Sequence, residues 1–406
     1  MDSLINAASR ALATGDALTA LKRIGTRDDA PALALRGIAM AQLGDLERAR
    51  DLLRQAGRAF GPREPASRAR CVVGEAEIAL VSRDLGQSLT NLGPARRALA
   101  AYGDRRNAAH AAYLEARLLL LIGRLDDAEA LLGEVDIAAL PTPSHVGIQL
   151  VRAGIAIRRL DSRSAKDALA NAMELAGALQ SRPLLAEVER AAERLSAPVA
   201  REVGGDRQRL LYLEDVEAVY ASDRLVIDAC RNCVRSKGYV IPLTGRSVLF
   251  TLVRVLAEAW PGSASREALL WQAFRAREAD ESHRARLRVE IGRLRGELRD
   301  IAEITATENG FMMIARDTSR VIVLAPPVER EHAHVLALLA DGEAWSSSAL
   351  ALALSVSPRT VQRALESLAA QGEVEPFGRG RARRWIARSV PGFPTSLLLP
   401  AASPLS

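Results

Sequence analysis

A chain of 406 residues is long enough for two or three domains with separate cores, and 49% apolar residues exclude a mostly disordered protein. Aromatic residues are only 4% while Ala, Leu and Arg abound, a composition suited to helix packed on helix. The net charge of +6 suits a polyanionic partner without requiring one, so local clustering of charge must carry that argument.

Three cysteines, Cys71, Cys230 and Cys233, give no even disulfide framework, and the expected setting is a reducing one, the cytoplasm. The first residues, MDSLINAASRALATGD, lack the positive start and apolar core of a signal peptide. No apolar run reaches the roughly 18 residues of a membrane span, so no membrane association is expected.

Residues 1 to about 200 read as repeated helix pairs. ALALRGIAMAQLGDLERARDLLRQA (32–56) is echoed by AAYLEARLLLLIGRLDDAEALLGEV (111–135), each with an apolar helix, a Gly turn (Gly44, Gly123) and a second amphipathic helix. Weaker versions turn at Gly15-Asp16, near Asp84-Leu85-Gly86 and near Asp161-Ser162. Small residues before the turn and A-x-x-L-L after it resemble tetratricopeptide repeats over residues 1–195. The resemblance implies a concave surface for a signal, a peptide, a partner domain or self-association, with a homodimer among the expected states. His110 and His145 stand alone in sequence and read as ordinary surface or interhelix residues; Cys71 reads as a small core hydrophobe. AERLSAPVAREVGGDRQRL (192–210) breaks the rhythm with Pro198 and Gly204-Gly205 and reads as a linker.

From residue 210, three β-prone pieces (LYLEDVEAVYA, RLVIDACRNCVR, KGYVIPL) precede an apolar helix after Thr244 that stops at Pro261-Gly262. A short helix, REALLWQAF, and a polar loop follow. Then comes Ser282–Asp300, SHRARLRVEIGRLRGELRD, where helical spacing places Leu287, Ile291, Leu294 and Leu298 on one face. Ser282, Arg286, Val289, Gly292, Arg293 and Gly296 fall opposite, with Arg284, Arg288 and Arg295 on the flanks. Guanidinium forks suit phosphates and guanine edges. AEITATENGFMMIAR reads as a hairpin about Asn309-Gly310 with a type I′ turn.

Small sheet, three helices and hairpin resemble the DNA-binding domain of OmpR/PhoB-type bacterial regulators. The residues that carry it are LTGRSVLF (243–250), SREALLWQAF (265–274), LRVEIGRLRGEL (287–298) and ITATENGFMM (304–313). The resemblance implies a recognition helix at Ser282–Asp300, with Arg286, Val289, Arg293 and Arg295 facing duplex DNA, and a wing tip at Thr307–Met312. It also implies a contact with RNA polymerase through Arg275–Glu281. Glu290 and Gly292 depart from the basic or polar contact residues of that family, as do Thr307 and Glu308 from its wing arginine. Modest affinity from this domain alone is therefore the expectation. Cys230-Arg-Asn-Cys233 has no second pair nearby and is not expected to hold metal.

The stretch 328–388 repeats the logic: a helix to Gly342, a short helix Ser348–Leu354, and a turn at Ser355-Val356. A helix capped by Ser357 then follows, with Pro358 first. Val361, Leu365 and Leu368 face inward, and Arg359, Thr360, Gln362 and Arg363 outward. A hairpin is expected to carry Arg379, Arg381, Arg383 and Arg384 at its tip. This segment resembles the winged domains of MarR-, GntR- and DeoR-type regulators.

The expected fold is thus mainly α: a helical-repeat domain over 1–200, winged helix-turn-helix domains over 210–325 and 328–388, and a disordered tail over 389–406. The expected function is sequence-specific DNA binding in transcription regulation. The alternative is a protein-interaction adaptor in which the repeats do the binding and the winged domains dock on protein. No nucleophile–base pair, phosphate loop or metal spacing is present in motif context, so neither an enzyme nor a cofactor is expected.

Overall fold

In the computed structural model the chain is mainly helical with small sheets. The structure describes residues 2–82, 88–204, 209–243, 246–274, 280–316, 318, 320–327, 332–339, 343–354, 356–378, 380 and 383–387. It divides into two compact units, one of Met1–Ile155, Lys166–Arg190 and His332–Ser406, the other of Ala156–Ala165 and Ala191–Glu331. Among the described residues no helix is long and apolar enough to cross a membrane.

Most of the first unit is a succession of helix pairs. These are α1 (Ser3–Ala13) and α2 (Ala17–Ile24), α3 (Ala30–Gln42) and α4 (Leu46–Ala59), α5 (Pro65–Val81) and α6 (Ser88–Ala101), and α7 (Arg105–Leu121) and α8 (Leu125–Glu134). After them come α9 (Thr142–Arg159), α10 (Ser162–Ala178) and α11 (Arg182–Leu195). A recurrent Gly-Asp step ends one helix and starts the next. Gly15, Gly44 and Gly103 take φ of +79°, +87° and +73°, where an L side chain is strained. Asp16, Asp45 and Asp104 then accept the N–H of Thr19, Arg48 and Asn107 at 2.9, 3.2 and 3.3 Å. After α9 the left-handed position falls to Leu160, and Asp161 caps α10 through Ser164 N at 2.9 Å. The turn expected at Asp84-Leu85-Gly86 lies outside the described residues. The core passes from pair to pair as a series of clusters rather than one centre. Ile5, Leu12, Ile24 and Leu35 pack together, then Leu33, Leu52, Phe60 and Cys71, then Leu80, Leu92, Leu99, Leu114 and Leu118.

The second unit is built on a six-stranded sheet with strand order β2-β1-β9-β3-β4-β5. The strands are β1 (Ala200–Val203), β2 (Arg209–Leu211), β3 (Leu225–Asp228), β4 (Cys233–Ser236), β5 (Tyr239–Pro242) and, later in the chain, β9 (Val321–Ala325). β3 and β9 run parallel at its centre, where both faces are covered. Val226, Ile322 and Leu324 pack on α12 (Leu213–Tyr220) and the Ala156–Ala165 turn. Leu225, Ile227 and Val323 point the other way, into a core shared with α13 (Ser247–Glu258), α14 (Arg266–Phe274) and α15 (Glu281–Leu298). Beside those helices lies a three-stranded sheet ordered β6-β8-β7, made of β6 (Ser263–Ser265), β7 (Ala302–Ala306) and β8 (Gly310–Ala315).

Four local expectations change here. The stretch read as a linker contains β1 and β2, which pair with each other. LEDVEAVY is the helix α12, not a strand: Glu214 and Asp215 occupy its first turn, where the helix dipole favours acids, and Asp215 accepts Tyr212 N at 3.0 Å. RLVIDACRNCVR is two strands rather than one. The fully buried Asp228 takes the N–H groups of Cys230 and Arg231 at 2.7 and 3.1 Å, Asn232 turns with φ +51°, and Asp228 then faces Cys233 across the pair. The β7–β8 turn is centred one residue earlier than the expected type I′ turn, and neither Asn309 nor Gly310 takes a positive φ. Gly310 is required for another reason. A Cβ there would lie 1.8 Å from the Ala264 carbonyl oxygen of the neighbouring β6.

The C-terminal part of the first unit comprises α16 (Ala333–Leu339), α17 (Ser347–Leu354), α18 (Pro358–Ala370) and the hairpin of β10 (Val374–Phe377) with β11 (Arg384–Ala387). Ser357 caps α18 by accepting Thr360 N at 3.2 Å, with Pro358 opening the helix. Trp345 and Trp385 exchange backbone hydrogen bonds at 2.9 and 2.8 Å. Their side chains, with Leu350 and Leu365, belong to the same apolar cluster as Leu92, Leu114 and Leu118 of the helix pairs.

Two glycines separate close packing from backbone entropy. Gly310→Ala is expected to destabilise the second unit, because the obstruction is backbone and no rotamer relieves it. Gly292→Ala, with open space around it in the middle of α15, should stabilise by about 0.5–1 kcal/mol in urea unfolding.

Candidate nucleic-acid interface

α15 is anchored by Leu287, Ile291, Leu294 and Leu298, its four buried residues, which are those the sequence periodicity puts on one face. Their burial at about 1.5–3 kcal/mol each holds the helix in one rotation. The opposite side is therefore turned outward: Arg284, Arg286, Arg288, Arg293 and Arg295 are exposed, as are Gly292 and Gly296, and Val289 is 54% exposed. Asp280 caps the helix by accepting His283 N at 2.8 Å.

The exposed arginines differ in how far their charge is already answered. Arg288 and Arg284 both pair with Glu281, the latter at 3.7 Å. Arg293 Nη1 bonds Glu290 Oε1 at 2.9 Å, and the Glu290 side chain, 13% exposed, is drawn toward the protein. Glu297 is paired with Arg246 at the start of α13. Arg286 lies over the Phe274 ring at 4.7 Å with no carboxylate beside it among the described residues. Arg295 Nε donates to the Ile304 carbonyl at 2.7 Å, tying α15 to β7. Surface pairs of this kind are worth about 0–1 kcal/mol each.

The turn between β7 and β8 is held from below. Thr307 N donates to Gly310 O at 3.0 Å, and Thr307 Oγ1 accepts Gly310 N at 3.1 Å, so the Thr307 side chain closes the turn. Arg266 grips the same turn with three donors: Nη1 to Glu308 O at 2.7 Å, Nη2 to Thr307 O at 3.2 Å, and its backbone N to Asn309 O at 3.0 Å. Sequence reasoning missed Arg266, whose partners lie some forty residues further along the chain. The segment 275–279 of the expected polymerase-contacting loop Arg275–Glu281 lies outside the described residues.

On α18, Arg359, Thr360, Gln362 and Arg363 are exposed, with Val361, Ala364, Leu365 and Leu368 buried beneath. Thr360 is engaged with the Ser357 hydroxyl at 2.8 Å, and Gln362 with Glu366 at 3.3 Å. Arg359 and Arg363 form no ion pair with another described residue. Arg384 is not at a hairpin tip. It sits in β11 opposite Phe377, buried, with Nε donating to Ser82 O at 3.2 Å, because strand alternation turns it toward the helix pairs. Arg383 is exposed and lies 4.5 Å over the Trp385 ring. Arg379 and Arg381 lie outside the described residues.

Burial pushes the Cys230 thiol up to about 12, and the Asp228 carboxylate nearby adds to the effect; Cys233 is raised for the same first reason. Both are therefore protonated thiols near neutral pH, poor as nucleophiles or metal ligands. No cluster of three or more His, Cys, Asp or Glu suited to a metal occurs among the described residues. The chain matches no protein-family model, no curated protein and no solved structure.

Two measurements probe this surface. Arg266→Ala should speed amide exchange at residues 307–310, since two neutral carbonyls lose charge-assisted donors worth about 1–3 kcal/mol each. The His283 N–H and ring hold the Asp280 carboxyl below its usual range. The cap is therefore complete above the ordinary Asp pKa and is lost as pH falls through the lowered one. His283 amide protection should fall in that acidic window, and Asp280→Asn should remove the pH dependence.

Proposed function

We propose that this protein is a sequence-specific DNA-binding transcription regulator, with α15 and the β7–β8 turn as a winged helix-turn-helix reader. The helix pairs are read as tetratricopeptide-like repeats that receive a signal or partner, and α17–α18 with the β10–β11 hairpin as a second winged module. The supporting observation is the division of α15 into a buried apolar seam and an outward arginine face beside a clamped hairpin turn. Such a helix has what major-groove entry requires: a fixed rotation, cationic forks, and small residues that let the duplex approach.

Roles follow from the local chemistry. Arg286 has the freest guanidinium of the face and is assigned to base edges, with Val289 as its apolar companion. Arg284, Arg288 and Arg293 exchange carboxylates for phosphates on binding. Arg295, held by Ile304 O, orients the helix against β7 and supplies charge at close range. Arg359 and Arg363 give α18 the same capacity. The adaptor reading is favoured by one observation, the acidic partners Glu281 and Glu290 on α15 itself, which lower its net charge.

Fluorescence anisotropy with genomic fragments at about physiological salt separates the two. A regulator binds some fragment better than random duplex, and Arg286→Ala weakens that binding by about 1–3 kcal/mol while relaxing specificity at one position. Arg288→Ala should weaken all duplexes alike and lower the salt slope by about one. Equal binding to random and genomic duplex would refute the reader and leave the adaptor.

A further inference from the structure

Helices α1, α3, α5 and α7, the first members of four successive pairs, line a cavity of about 90 Å³ that opens to solvent. Leu35, Ile38, Leu53, Phe60 and Val73 make one wall apolar. The side formed by α5 and α7 is polar, with Arg70, Glu77, Asn107 and His110.

The groups of the polar side are already engaged with one another. Arg70 Nε bonds Asp104 at 2.6 Å, and Asn107 donates to the same carboxylate. Glu77 Oε2 bonds His110 Nε2 at 3.2 Å and lies within electrostatic reach of Arg117. A ligand with a net charge would give up hydration there and meet groups already hydrogen-bonded to one another. Hydrogen-bonding capacity is left over, however. His110 is 4% exposed, and its Nδ1 has no hydrogen-bond partner among the described residues. An unsatisfied buried nitrogen is costly, and a ligand head able to reach this side can recover that cost.

We propose that this cavity binds a neutral small amphiphile, its apolar body along α3 and its single amide- or hydroxyl-type head against the polar groups of α5 and α7. The assignment does not rest on the DNA reading, and neither outcome for one decides the other.

The test is isothermal titration calorimetry on the full chain with three probes that share a tail, namely octanamide, octanoate and octylamine. Octanamide should bind about tenfold or more tightly than either charged analogue, the ratio for roughly one hydrogen-bonded head against one desolvated charge. Ala34→Phe, which fills the apolar part, should lower octanamide affinity by about tenfold with the melting temperature kept; Ser67→Phe serves where that chain does not fold. His110→Phe should erase the preference for the amide over the acid while leaving tail binding. No saturable heat with any probe, equal or tighter binding of a charged probe, or octanamide binding untouched by the filling variants would each overturn the proposal.

Discussion

The seam of Leu287, Ile291, Leu294 and Leu298 is the constraint on which the second unit depends. These four side chains lock α15 against α13, α14 and the sheet, so the helix cannot rotate without exposing them. Once that rotation is fixed, every other side chain of the helix has its direction assigned. The arginines become a surface rather than a core problem, and Glu290 can be drawn in beside Arg293 instead of standing in the middle of the face. The β7–β8 turn gains a definite position through the Arg295–Ile304 bond and the Arg266 clamp.

The same logic of covered faces explains the sheet beneath. A parallel pair at the centre of a sheet must be buried on both sides, and the alternation of Leu225, Val226 and Ile227 with Val321 to Leu324 supplies apolar groups to both. Within that parallel pair the buried polar group is Asp228, and it is used fully. Two backbone N–H groups, the Tyr220 hydroxyl and the Arg231 guanidinium all converge on it. A buried carboxylate so supplied is tolerable, whereas removing one partner would leave desolvated charge behind.

The first unit distributes its core differently. Its largest cluster runs from α5 into α9 and takes in the C-terminal elements through Trp345 and Trp385, with smaller clusters between the earlier helix pairs. The C-terminal elements, their apolar side merged into the helix pairs, are coupled to them through packed side chains, and Arg384 adds a hydrogen bond to the α5 end.

Periodicity and caps were enough to reveal much of this from residues alone. The apolar seam of α15, the Ser357-Pro358 start of α18 and the Gly-Asp turns are local devices whose causes lie within a few positions. What remained hidden depended on partners distant in the chain. Arg266 looks like any helix-start arginine until the turn at 307–309 folds over it. VIVLA is only a short apolar run until β3 lies alongside, and Arg384 looks like a tip residue until Ser82 is beside it. His110 showed the same limit: a lone histidine in sequence, it gains meaning only where α5 brings Glu77 to one ring nitrogen and leaves the other without a partner among the described residues. Short-range chemistry decides where helices start, stop and turn their apolar side, because those choices are made within a few residues. Tertiary packing alone decides which charges are spent internally and which are left facing outward, because that depends on what the fold brings near.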